Sequence, residues 1–289
     1  MAHRIVLIYA SALLTFFVAP LDNYFGAIGA LSIRPTVLFL AGFTPIYWGI
    51  GDLDWREALL LSGSSLTTLG FHSAPNTVEA IAAILEALIG LGLVALLISF
   101  LPTIYSHFSK RETTVSKLFI RSFNAEGGAD PVALLVRTHT IAGLHRLDDT
   151  WIEWDHWFVE LSESHRSFPA LNFFRSPEPD RSWITGAGLA LDLGAIYLST
   201  IDIELNPSAA VMLRSGFLSL RSLCDLFDIP YDPDPSPTDP ISVARSEYDE
   251  VYDRLAAAGV PVRADRDAAW RSFQGWRVNY DVPLTYLAQ

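Results

Sequence analysis

The chain has 289 residues, of which 51% are hydrophobic and 18% charged, whereas about 25% charged is usual for a soluble protein. Its mean hydropathy is +0.29, and 32 acidic residues outnumber 20 basic ones. That balance argues against nucleic acid as a partner, because phosphate binding needs clustered Lys and Arg. Cys224 is the only cysteine, which excludes an intrachain disulfide and a cysteine-based zinc site.

Residues 1–111 carry only five of the basic and six of the acidic residues, leaving 15 and 26 for residues 112–289. The chain therefore reads as an all-α protein in two parts: an apolar membrane domain over 1–111 and an acidic cytoplasmic helical domain over 112–289.

The first apolar run, about 5–20, is short for a span, which needs about 20 apolar residues. It reads as a first spanning or interfacial helix, with a cleaved signal peptide as the alternative. A second helix is expected over about 30–50. Trp55–Leu66 follows, about three turns of helix and too short to cross a bilayer. Asp52 or Asp54 is placed to cap it. A segment that enters and must come back out is tolerated only where protein or water surrounds its non-helical end.

A long apolar helix is expected over about 78–106. It contains Glu86, and a carboxylate at membrane depth is a candidate for function or for buttressing a neighbouring loop. Gly90 and Gly92 sit near its middle and read either as a hinge or as a close helix–helix contact. Pro102 is expected to kink it. Leu97, Leu101 and Tyr105 fall on one face, expected to narrow an inner mouth at a gate. Lys110 and Arg111 after this helix put its end in the cytoplasm, with multi-pass insertion in the cell (inner) membrane.

Between the short and long helices lies Ser64-Ser65-Leu66-Thr67-Thr68-Leu69-Gly70-Phe71-His72. Consecutive carbonyls there can replace a cation's water shell, and Gly70 supplies unusual dihedrals. This stretch resembles the filter of the potassium-channel superfamily, Thr-Val-Gly-Tyr-Gly after a Ser/Thr-rich pore helix. Thr68, Leu69, Gly70 and Phe71 match its first four positions. The resemblance covers about 36–111. It is closer to bacterial two- or three-helix channel-like proteins with a Thr-Leu-Gly-Phe filter, a Glu…Ile-Gly-Leu helix and a Leu-Pro-x-Tyr-x-x-Phe-Ser-x-Arg-Glu junction, here Leu101 to Glu112. A weaker match continues through Glu163-Ser164-His165 and Phe174-Arg175-Ser176-Pro177.

The resemblance implies a homotetrameric cation channel in the lipid bilayer, passing K+ or Na+ through a filter at Thr67, Thr68, Leu69, Gly70 and Phe71, with Ser64 and Glu86 as filter support. It implies no cofactor and no bound metal beyond the permeant ion. Two departures narrow it. Phe71 lacks the family's tyrosine hydroxyl, and His72 stands at the outer mouth where a second Gly belongs, which points to weakened potassium selectivity. The second reading is a non-conducting, membrane-anchored sensory or interaction protein on the same scaffold.

Downstream, Thr114–Ser122 reads as a short connector. Asp130-Pro131 opens a helix, and Trp151, Trp154, Phe158 and Leu161 mark a core stripe over Asp148–His165. Trp183–Ile201 reads as a buried bundle helix, because Asp192 would be costly in a bilayer. Further helices are expected over Pro207–Phe227, Ser242–Ala258 and Asp265–Leu287, with an acidic Pro-rich linker over 229–240. Neither a phosphate loop nor a nucleophile–base arrangement occurs, so the chain does not read as an enzyme. Glu153 and His156 have a weak metal-pair spacing and read as a solvated helix face.

Overall fold

The computed structural model describes residues 21–124, 128–174, 176 and 181–288; the expected helix over 5–20 lies outside them. The described chain is helical, with two isolated β-bridges, Phe123 to Ala129 and Ile201 to Val262, and no strand. It divides into two compact units, Met1–Ser106 and His107–Gln289, a little before the expected boundary at 111.

The first unit contains α1 (Leu21–Ile50), α2 (Trp55–Leu66) and the first part of α3 (Thr77–Ser122). Helix α1 begins well before the expected residue 30. Helix α2 has the expected bounds. Asp54 caps it, its carboxylate accepting the Glu57 amide at 2.7 Å, while Glu57 accepts the Asp54 amide at 3.3 Å; this reciprocal pair is a capping box. Helix α2 packs against α1, with Tyr47, Ala58 and Leu61 at the centre of a small cluster.

Burial in this unit is inverted. Thr44, Ser62, Ser64, Ser65, Glu79 and Glu86 are buried, whereas Val78, Ile81, Ile84, Leu88, Leu91, Val94 and Ile98 on α3 are exposed. Water does not select such a surface. Among the described residues α3 is the one helix long and apolar enough to cross a membrane.

Helix α3 continues to Ser122, so the expected connector at 114–122 is helix. No Gly or Pro lies between Pro102 and Gly127 to stop it. Val115, Leu118 and Phe119 are buried in the core of the second unit, and that burial fixes a segment whose Thr and Ser residues disguise its apolar face.

The rest of the second unit comprises α4 (Pro131–Ile141), α5 (Asp148–Ser167), α6 (Trp183–Thr200), α7 (Pro207–Leu226), α8 (Arg245–Ala257), α9 (Arg266–Arg277) and α10 (Asp281–Leu287). Asp130 caps α4 and Pro131 opens it, as expected. Trp151, Trp154, Phe158 and Leu161 are core residues. The single helix expected over 265–287 is divided in two between Arg277 and Asp281.

Helix α6 is the buried centre of this bundle and packs against α4, α7 and α9. Its Asp192 is ion-paired with Arg277 Nη1 and accepts the Tyr280 hydroxyl at 2.9 Å. Arg277 also holds Asp281 at 2.7 Å. The carboxylate that breaks the apolar run is thus part of the network that pins α9 and α10 to α6.

The Pro-rich segment 229–240 is not a free linker. Arg221 donates to the Pro233 carbonyl at 2.8 Å and Gln274 to that of Asp239 at 3.0 Å, holding the segment against α7 and α9.

Candidate functional site

The turn after α2 is built from the helix end outward. The Thr67 amide bonds the Gly63 carbonyl at 3.1 Å and the Thr68 amide that of Ser65 at 3.0 Å. The Leu69 and Gly70 amides bond the Ser64 carbonyl at 3.1 and 3.4 Å. The Ser64 hydroxyl accepts the His72 amide at 3.0 Å. The amides of Thr67 through Gly70 and of His72 are therefore bonded to the last residues of α2, with Ser64 accepting three of them.

Thr68 has φ +57° and Gly70 φ +67°, while Thr67, Leu69 and Phe71 stay at negative φ. Thr68 and Gly70 are thus two left-handed residues, each flanked by residues at negative φ. Among the described residues the carbonyls of Thr67 through Phe71 accept no hydrogen bond. All five residues are exposed. Gly70 adopts its dihedral at no cost; a β-branched Thr at positive φ is strained by about 1–3 kcal/mol.

Behind this turn sits Glu86 of α3, fully buried. Its Oε1 accepts the Ser62 hydroxyl of α2 at 2.6 Å, and its Oε2 accepts the Tyr47 hydroxyl of α1 at 2.8 Å. One carboxylate thereby ties three helices together. Sequence reading singled out Glu86 and Ser64 but missed Tyr47 and Ser62; a hydroxyl on each neighbouring helix was the available signal.

Gly90 is also set against α2. A Cβ there would lie 1.8 Å from the Leu66 carbonyl oxygen, so backbone meets backbone at this point. Gly92 has nothing within 4 Å. Leu101 is half-buried and Tyr105 exposed, while Ile104 between them is buried.

Glu79, also buried, differs from Glu86. Neither of its carboxylate oxygens has a hydrogen-bond partner among the described residues. It lies against Gly51, where a Cβ would stand 1.5 Å from Oε1.

A second cluster lies in the helical unit. The buried Arg111 donates to the Phe174 carbonyl at 2.9 Å, pairs with Glu112 at 2.9 Å and stands 3.3 Å from His165 Nε2. His165 Nδ1 lies 2.8 Å from the Leu161 carbonyl, so Nδ1 carries the proton and Nε2 accepts. Burial first, and the Arg111 charge as well, push the imidazole pKa down to about 4. Three stretches matched separately by sequence, the Arg111-Glu112 junction, Glu163-Ser164-His165 and Phe174, are one cluster in space. Arg175 and Pro177 lie outside the described residues.

Elsewhere, Glu153 pairs with Lys117 at 2.7 Å, consistent with a solvated ionic face. Cys224 is buried, which pushes its thiol up to about 11; the thiolate needed for reactivity is disfavoured.

No family model, curated protein or solved structure matches the chain.

Proposed function

We propose that the chain is one subunit of a homotetrameric, multi-pass cation channel of the inner membrane, with the segment 67–71 as its filter. The observation that carries this reading is the row of unbonded carbonyls at Thr67–Phe71, in a segment whose φ alternates in sign and whose Thr67 to Gly70 amides bond the end of α2. Such a row can replace the water shell of a monovalent cation. One chain supplies one loop, so a closed ring requires several copies, and fourfold symmetry matches the filter family that the sequence resembles. The exposed apolar collar on α3 supports lipid and subunit contacts for the first unit. Lys110 and Arg111 favour a cytoplasmic position for the helical unit.

The filter is expected to favour K+ weakly over Na+. Gly70 can turn its carbonyl freely, but His72 resists the conformation that a final Gly would give. The second reading, a non-conducting scaffold protein, draws on that same residue. Flux through the purified protein in liposomes, under opposed K+ and Na+ gradients, separates the two.

A further inference from the structure

A cleft of about 630 Å³ opens in the helical unit between α7 and α9. This is within the usual size range of small-molecule sites, about 300–1,000 Å³. Val211 and Phe217 of α7 and Trp276 of α9 give it apolar and aromatic walls, and Pro237 of the tacked-down segment closes one side. Arg214 and Arg271 stand on its two helices.

The two guanidinium groups on these walls lack a direct partner, although Asp267 acts on Arg271 at longer range. Neither Arg214 nor Arg271 makes a hydrogen bond or ion pair among the described residues. Asp267, one turn before Arg271, is engaged by Arg245 at 2.8 Å. Asp232 and Asp239 on the nearby segment accept backbone amides of Asp234 and Ser236. Arg221, stacked 4.9 Å from the Phe217 ring centroid outside the cleft lining, donates to Pro233 and Asn279 and has Asp232 and Asp234 as its acidic neighbours. Two exposed guanidinium groups that make no ion pair thus face an apolar cleft, in a unit whose acidic residues outnumber its basic ones. Guanidinium forks suit carboxylate and phosphate oxygens.

We infer that this cleft binds a small organic anion, a carboxylate or phosphate head on a planar apolar body, with Arg214 and Arg271 holding the head and Phe217 and Trp276 flanking the body. This makes the helical unit a ligand-binding domain. The inference does not rest on the chain being a channel, and binding is measured without any flux.

The test is isothermal titration of the purified full-length chain with naphthalene-1-acetate, 1-naphthyl phosphate and the neutral 1-naphthalenemethanol, against a detergent blank. At least one anion is expected to bind saturably, and the neutral compound about tenfold or more weaker. The two anions compared tell a carboxylate site from a phosphate site. The exposed pair R214Q/R271Q should weaken the anion by about tenfold or more and leave the alcohol unchanged. V211W, which fills the cleft, should abolish both. Absence of saturable heat with either anion, equal affinity for the alcohol, or an unchanged affinity in R214Q/R271Q would overturn the proposal. A change in oligomeric state in that double variant without loss of anion binding would also overturn it, and would mark the cleft as a contact between copies.

Discussion

The Ser62 hydroxyl donates to Glu86 Oε1 at 2.6 Å, joining the short helix α2 to the long helix α3 inside a unit whose outer surface is apolar. The Tyr47 hydroxyl completes the junction from α1 at 2.8 Å. Hydrogen bonds to a charged group are worth about 1.5–3 kcal/mol, and a stranded buried donor costs about 1–3 kcal/mol. Glu86→Ala, which strands two hydroxyls, is therefore expected to destabilise the folded chain by on the order of 3 kcal/mol. S62A and Y47F should each cost less. Thermal unfolding in detergent measures all three, and an E86A chain as stable as wild type would remove the junction from the account.

Glu79 supplies the opposite expectation. It is buried with no partner for either oxygen. Neither oxygen has a hydrogen bond to lose, so the near-isosteric E79Q should change stability by no more than about 1 kcal/mol. A loss comparable to that of E86A would mean that Glu79 has a partner from another subunit.

The two glycines of α3 separate cleanly. G90A drives a Cβ into the Leu66 carbonyl, and overpacking of this kind costs about 1–3 kcal/mol, more against rigid backbone. G92A meets nothing within 4 Å and should gain about 1 kcal/mol of helix propensity. If G92A nevertheless changes opening in bilayer recordings, Gly92 is the hinge and Gly90 the packing contact. Equal effects of both on thermal stability would contradict this assignment.

His165 gives the helical unit a pH dependence. Unfolded, its imidazole takes a proton near the ordinary value of about 6.5; folded, it does so only near about 4. Between those values the unfolded chain holds more protons, so stability falls as pH drops from about 6.5 to 4, by at most ~3 kcal/mol. Above pH 6.5 the contribution is fully present. Unfolding of the full chain followed between pH 7.5 and 4.5 should show the decline, and H165Q should flatten it. A decline of the same size in H165Q would assign it to other groups.

Much of this architecture was legible because its signals are local. Asp130 and the pair Asp52 and Asp54 announce helix starts, Pro131 follows its cap, and the Trp151–Leu161 stripe has the period of a buried face. The Ser64–Phe71 run carried its resemblance on adjacent residues. What escaped depends on distant partners. Asp192 reads as an interruption of an apolar run until Arg277, 85 positions later, arrives beside it. The Thr- and Ser-rich 114–122 looks like a connector until Val115 and Leu118 are seen in the core. The prolines of 229–240 suggest a free linker, yet Arg221 and Gln274 hold that segment in place. Tyr47 and Ser62 have no motif of their own; only the position of Glu86 gives them a role.

The account stands on the carbonyl row at Thr67–Phe71. It is tested most directly by reconstituting the purified chain in liposomes with opposed K+ and Na+ gradients and reading cation flux and reversal potential, for wild type, H72G and G70A. The account predicts cation flux with a weak K+ preference in wild type, a stronger preference in H72G, and loss of flux in G70A, whose Cβ is strained at φ +67°. No cation flux in the wild type, or flux unaffected by G70A, would contradict it.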